Sequence, residues 1–412
     1  MAESRKDSKG RVLRKGETQR KDGRYSYSYT DPFKKRHTIY SRSIVELRKK
    51  EEQLVKDQLD GIKGYVAGVA SVNYLFDRYI RTKSELRSTT RANYMYMYEH
   101  FVRDTFGKKK IGEVKYTDVI FFYQHLLNER GLKINTLDTI HTILHPTFQM
   151  AVRDNIIRGN PTDGVMAQLK KTSGKNKGIR HALTIEQQKA FVNYIERKPE
   201  YYQWLPFLKF LLGTGCRIGE AIGIRWEDVD LEKGTININH SLVYYSREYK
   251  EHAICSFGVS RPKTEAGIRI IPMMNSVKEA LQMEWEDQQI YGFNKTVIDG
   301  MSGFIFMNRF GDVHKPGAVN RVLGRITDAY NAEEEVEAAK ANREPILLPH
   351  FSCHHLRHTF CSRLCENETN LKVIQTIMGH ASIETTMDIY AEVCGDKLED
   401  SMKLLEDKLD IF

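Results

Sequence analysis

Late in the chain His354, Arg357 and His358 are followed by Gly379-His380 and then by Tyr390, and far upstream Arg217 stands at the start of a helix. A phenol, two guanidinium groups and several imidazoles make a set suited to chemistry on a phosphodiester. The phenol can attack, each arginine can fork onto phosphate oxygens, and imidazole can carry a proton. Each residue alone also has a plain structural reading. Arg217 can pair with Glu220 one turn on, and Tyr390 can be the edge of an amphipathic core with its hydroxyl at the rim. Lys263, between Arg261-Pro262 and the strand signal of 267–271, can be a solvated charge at a hairpin tip or a cation that reaches into a groove.

A second chemistry competes for the same histidines. His354 and His358 are four apart, a known zinc spacing on a helix, with Cys353, Cys361 and Cys365 nearby. The Glu of a His-Glu-x-x-His signature is missing, the cysteines form no Cys-x-x-Cys pair, and an arginine aimed into a dication site would be repelled. The phosphate reading is therefore preferred, with neither a metal nor any other cofactor called for.

The elements that must position these groups follow from the pattern of the chain. Residues 71–164 read as helical: Tyr74, Leu75, Tyr79 and Leu86 mark one apolar stripe, and Leu137, Ile140, Leu144, Phe148 and Ala151 another, with Asn160-Pro161 as the stop. Thr184 with Gln187 opens a further helical region as a capping box. Residues 205–212 make an apolar helix that ends at Gly213-Thr214-Gly215, and a new helix starts at Arg217. Strand signals follow at 235–242 and 267–271, the second ending at Pro272. From Ala318 onward the chain is mostly helical, with a loop around 342–349. Gly379-His380 ends an apolar helix, Ser382 can cap the next one, and Leu398, Met402, Leu405 and Leu409 recur at helical steps beyond Tyr390.

Charge is distributed unevenly. The 412 residues carry a net +9, yet residues 1–50 hold 16 Lys/Arg against 6 Asp/Glu, a net +10, so the rest of the chain is near neutral. Within that basic segment Arg24–Tyr29 alternates with period two and 37–41 offers a second short β run, which predicts a small folded basic module over 10–45; residues 1–10 read as disordered. Ser43 with Glu46 reads as a capping box for a charged helix after it. Residues 170–180 are basic, contain two glycines and lack apolar periodicity, as expected of an extended linker. Six scattered cysteines and no secretory h-region make a disulfide framework unexpected, and no apolar stretch reaches the roughly 18 residues of a membrane span. A soluble cytoplasmic protein is expected.

Taken together the motifs resemble the tyrosine recombinase (phage-type integrase) family over roughly 70–395. Thr214-Gly215-Cys216-Arg217-Ile218-Gly219-Glu220 is similar to the family's first arginine box, and Lys263-Thr264, with Arg269 and Ile271-Pro272 downstream, to its lysine hairpin. His354-His355-Leu356-Arg357-His358-Thr359 matches the second box, with His355 where an acidic residue is common. Gly379-His380 and Ser382-Ile383-Glu384-Thr385-Thr386 leading to Tyr390 match the last two. The basic N-terminal part resembles the arm-type DNA-binding domain of conjugative-transposon integrases.

The resemblance implies a multidomain, mainly α protein with small β elements: a basic arm-binding domain over 1–65, a helical core-binding domain over 70–167, a linker over 168–180 and an α-rich catalytic domain with a small sheet over 181–412. It implies Tyr390 as nucleophile, Arg217 and Arg357 on the scissile phosphate, Lys263 as general acid, His354 in proton handling and His380 in a phosphate hydrogen bond. It further implies double-stranded DNA as partner at core and arm sites, a tetramer on DNA, DNA-bending or excision factors, a bacterial mobile element as source, and integration and excision of that element as the outcome. A type IB topoisomerase shares the Arg, Lys, His and Tyr chemistry but has no need of a separate basic arm. A non-catalytic DNA-binding regulator has no need of a tyrosine aligned with two arginines.

Overall fold

The alternating tyrosines of the basic segment form the middle of an antiparallel sheet ordered β1 (Glu17–Gln19), β2 (Tyr25–Thr30), β3 (Arg36–Ser41), followed by helix α1 (Ile44–Leu59). The computed structural model describes residues 5–30, 36–59, 70–172, 182–246, 255–262 and 265–394. Tyr25, Ile44 and Leu47 make the small core under the sheet. Strand β1 was not legible in the pattern. Its Glu17 is buried and accepts from Arg48 Nε of α1 at 2.9 Å. Residues 5–10 are ordered, contrary to the expectation of disorder: the Asp7 carboxylate accepts from Tyr25 Oη at 2.9 Å and from the Arg11 guanidinium at 2.8 Å. Glu46 accepts from Ser41 Oγ at 2.7 Å, tying the start of α1 back to β3, where a box with Ser43 was expected.

Five helices, α2 (Val72–Thr82), α3 (Ser88–Phe101), α4 (Tyr116–Asn128), α5 (Ile134–Arg153) and α6 (Val165–Thr172), surround a second core. Phe76 stacks on Tyr98 inside it, and the Tyr98 hydroxyl is satisfied by Asn73 at 2.9 Å. Three sequence expectations need correction here. Tyr74 is 52% exposed, and the buried stripe of α2 is Val72, Leu75, Phe76, Tyr79 and Ile80. Helix α5 ends at Arg153, where Asn155 turns left-handed with φ 54°, before Asn160-Pro161 is reached. Lys170 and Lys171 belong to the last turn of α6, which runs to Thr172; the rest of the expected linker, from 173 to 180, lies outside the described residues, as does the tail from 395.

These elements form one of two compact units, Met1–Lys177; the other is Gly178–Phe412. In the second, Thr184 and Gln187 make the expected capping box at the start of α7 (Ile185–Arg197). After the short α8 (Pro199–Tyr202), helix α9 (Leu205–Thr214) is buried at every position except Lys209, which pairs with Glu196 at 2.7 Å, as its mostly apolar sequence requires. Helix α10 (Ile218–Gly223) follows, then β4 (Val229–Asp230), β5 (Thr235–Ile238), β6 (Ser241–Ser246), β7 (Cys255–Ser260) and β8 (Arg269–Pro272). The single strand signal over 235–242 is in fact two strands in different sheets. β5 sits between β4 and β8, while β6 pairs with β7. The register sets Ile236 opposite Ile271 and Ile238 opposite Arg269 on the buried face.

Helix α11 (Asn275–Tyr291) packs on α9, and the long α12 (Pro316–Lys340) holds the loop that follows it. Asn331 exchanges two hydrogen bonds with the Leu348 backbone, and Glu334 pairs with Arg343. That clasp, with Asn320 Oδ1 accepting from Cys353 N at 3.0 Å, fixes where α13 (Cys353–Asn367) begins. Helices α14 (Leu371–Met378) and α15 (Ile383–Cys394) are the last elements among the described residues.

Gly215 ends α9 with φ 60°, and an added Cβ would lie 2.3 Å from Phe360 Cδ1 of α13. Gly215→Ala is therefore expected to lower the thermal midpoint well beyond Gly234→Ala, where φ is similar at 65° but nothing lies within 4 Å. Strain alone costs about 1 kcal/mol and crowding adds roughly 1–3 more. Equal midpoints in a thermal melt of the two variants would contradict this account.

Candidate active site

Arg217 is the N-cap of α10, extended after the left-handed Gly215. Its backbone N–H donates to Glu220 Oε2 at 2.9 Å and its Nη1 to Glu220 Oε1 at 2.8 Å, so the plain pairing read from the sequence is real. Its Nη2 donates in addition to the Gly379 carbonyl at 3.0 Å, 162 residues away in sequence. The side chain is 44% exposed, so the guanidinium remains reachable from solvent.

Arg357 reaches the same turn from below. It is 4% exposed, with Nη1 donating to Gly215 O and Nη2 to Met378 O, both at 2.6 Å. Burial, followed by the nearby charges of Arg217 and Arg269, pushes it down to about 10, with Glu220 opposing. It stays charged at neutral pH. The turn itself is Gly379, at φ 63°, where a Cβ would lie 2.8 Å from Arg269 Nη1. Only glycine combines that backbone conformation with so close a neighbour.

His380 is buried next, its Nδ1 3.0 Å from Thr386 Oγ1 of α15. If the Thr386 hydroxyl donates, the neutral ring carries its proton on Nε2, an assignment made from the network. Burial lowers the His380 value to about 4, helped by Arg357, Arg217, Arg269 and His354, in that order. His354 is exposed one helical turn before Arg357, and His358 is half-buried with Nδ1 3.4 Å from Ser362 Oγ. Of the cysteines that the zinc reading offered, Cys353 is buried, and Cys361 and Cys365 are buried among Ile374 and Met378.

Tyr390 packs against this last cluster from α15, whose first turn is capped by Ser382 Oγ accepting from Glu384 N at 3.2 Å. Thus the Gly379-His380 turn brings together Arg217, Arg357 and His380, with His354 near enough to act on His380 electrostatically. Lys263 lies outside the described residues.

Sequence reasoning missed two features. Glu220 is buried and shared: Arg269 Nη2 donates to its Oε2 at 2.8 Å and Nη1 to its Oε1 at 3.3 Å. Burial would raise this carboxyl, but the Arg269 hydrogen bond and charge, with Arg217, bring it to about 2. His355, where the family often has an acid, serves as the third residue of a capping box, its Nδ1 accepting from Ser352 N at 3.2 Å. A serine three positions before a residue able to accept was the available signal.

The His380 value has a checkable consequence. Because it lies below the ordinary 6.5, the unfolded chain takes up this proton first as pH falls. Stability is therefore lost between pH 6.5 and about 4 and levels off below. An NMR titration of the His380 ring is expected to give a midpoint near 4, and His380→Asn to flatten part of the acid slope of the thermal midpoint. A midpoint near 6.5 would contradict the burial argument.

Comparison with known proteins adds independent findings. Residues 181–395, more than half of the chain, match the phage integrase family, and residues 1–58 match the DNA-binding domain of Tn916 integrase. The transposase from transposon Tn916 of Enterococcus faecalis is 29% identical over 418 residues, covering 98% of this chain and 97% of that one. The transposase from transposon Tn1545 of Streptococcus pneumoniae matches with the same identity and coverage. Among solved structures, the Tn1549 transposon integrase in complex with transposon right-end DNA superposes with a TM-score of 0.68 at 28% identity, covering 82% of this chain and all of that one.

Proposed function

The chain belongs to the phage integrase family of tyrosine recombinases, and from that premise we propose how its residues cut and rejoin double-stranded DNA to integrate and excise a mobile element such as a conjugative transposon. The observation that carries this reading is the convergence of Arg217 and Arg357, from segments far apart in sequence, on the turn that precedes the helix of Tyr390.

A tyrosine phenol has a pKa near 10, so about one in a thousand is ionised at neutral pH. Attack therefore needs a proton acceptor and donors aimed at the phosphoryl oxygens. In the proposed reaction the Tyr390 oxygen bonds to phosphorus, the bond from phosphorus to the 5′ oxygen breaks, and the phenolic proton passes toward His354. Arg217 and Arg357 hold the non-bridging oxygens, while neutral His380 donates from Nε2. Lys263 gives its proton to the departing 5′ oxygen. The 3′-phosphotyrosyl bond conserves the energy of the phosphodiester, so a 5′ hydroxyl from a partner strand reverses the step without ATP.

Four protomers exchanging strands in two rounds suit this chemistry, with bending or excision factors assisting in the cytoplasm of a bacterial host. The segments 1–65, 70–172 and 181–412 then serve as arm-binding, core-binding and catalytic domains, with 173–180 in place of 168–180 as the linker because α6 runs to Thr172. Arginines and lysines around β1–β3 would neutralise phosphates while the strand face enters a groove. Arg20 over the Tyr40 ring, 5.3 Å from its centroid, gives that module an aromatic and cationic surface.

The test uses a nicked duplex built on the sequence that the protein itself enriches from a random duplex pool, incubated in EDTA. Wild type is expected to form an adduct that survives SDS and disappears with protease, and Tyr390→Phe to form none. Arg217→Ala and Arg357→Ala should each slow adduct formation on the order of a hundredfold to a thousandfold while retaining DNA binding. Binding without any adduct in wild type would favour a regulator, and relaxation of plasmids regardless of sequence a topoisomerase. Removal of residues 1–65 is expected to abolish binding at arm sites and spare adduct formation at the core site. Equal loss of both would overturn the domain assignment.

A further inference from the structure

Arg269 touches the site through three partners. It forks onto the Glu220 carboxylate, its Nε donates to Ile377 O at 2.8 Å, and its Nη1 lies against the Gly379 turn. Its side chain is 2% exposed and that of Glu220 7%, so neither meets solvent. Glu220 in turn holds Arg217 through both its backbone N–H and its guanidinium. One buried carboxylate is thus divided between a guanidinium that is 2% exposed and one that is 44% exposed.

That division has a consequence for catalysis. An ionised carboxylate with a single arginine for partner would bind two nitrogens of its guanidinium and hold it in the fork geometry. Here Arg269 has the fork from the core side, and the Arg217 guanidinium meets Glu220 through Nη1. We propose that Arg269 is a positioning residue for strand cleavage: by engaging Glu220 and the end of α14 together, it keeps Arg217 oriented toward the Gly379-His380 turn and available to a phosphate. Arg269 itself touches no reacting atom in this account.

The inference rests on the recombinase reading, and its test separates the two. Single-turnover adduct formation on the same nicked duplex is measured for wild type, Arg269→Met, Arg269→Lys and the double variant Arg269→Met with Glu220→Gln, alongside DNA Kd and thermal midpoint. Arg269→Met is expected to slow adduct formation about a hundredfold with Kd changed by less than about threefold, since the lost interaction is needed in the transition state. Glu220→Gln on that background should restore the rate by about tenfold or more, because a neutral amide no longer captures Arg217. Arg269→Lys should fall between wild type and Arg269→Met, keeping the charge but losing the fork.

A purely structural role would make the double variant no faster than Arg269→Met, because it removes two buried partners in place of one. That result overturns the proposal. So does an Arg269→Met rate within about threefold of wild type, or a loss of DNA binding as large as the loss of rate. If Arg269→Met does not fold, Arg269→Lys with and without Glu220→Gln carries the comparison, and failure of Glu220→Gln to speed the lysine variant overturns it. Absence of adduct in wild type would instead count against the recombinase reading.

Discussion

The Glu220 carboxylate, buried between Arg269 and Arg217, is the contact on which the site depends. Moving a carboxylate out of water costs several kcal/mol, and only close cationic partners offset it. Here those partners come from β8 and from the start of α10, and the β8 arginine also reaches the last turn of α14. Removing one partner of such a pair leaves an uncompensated charge and costs about 3–5 kcal/mol. The same carboxylate therefore joins three elements and sets the direction of an arginine.

Around it the charge is deliberately one-sided. Arg217, Arg269 and Arg357 surround the Gly379 turn, with Glu220 as the anion pairing two of them. Backbone carbonyls of Gly215, Met378, Ile377 and Gly379 each accept from one of these arginines. In the proposed reaction a phosphate would meet this cluster at Arg217, whose side chain is reachable from solvent. The depressed values of Arg357 and His380 have one cause, burial among like charges.

Local glycines and caps carry this arrangement into the chain. Gly215 and Gly379 let two helices end in left-handed turns at the places where carbonyls must face the arginines. Ser352 with His355 fixes the first turn of α13, so that Arg357 projects inward while His354 stays at the surface. On α15, Thr386 faces His380 and Tyr390 packs one turn later on the cluster of Cys361, Cys365, Ile374 and Met378.

Much of this was legible beforehand because its causes are local or combinatorial. Residue types in a fixed order named Arg217, Arg357, His380 and Tyr390, and glycines after apolar runs marked where α9 and α14 end. The helical reading of residues 71–164 followed from periodicity, although α6 carries the core on to Leu169 and Tyr74 shows that a tyrosine fits a stripe or its edge equally well. What the chain alone left undecided were the partnerships across sheets and turns. Arg269 stands between Ile268 and Ile270, and alternation alone does not say which face of the strand is buried. Ile268 and Ile270 are exposed, while Arg269 is buried opposite Ile238. The register of β8 on β5 decided that face, and register depends on which strands meet. Glu220 could be seen to pair with Arg217 four residues into the motif, because helical spacing brings them together. That the same carboxylate also holds Arg269, and through it the end of α14, was decided only when the sheet and the helices closed around it and excluded water.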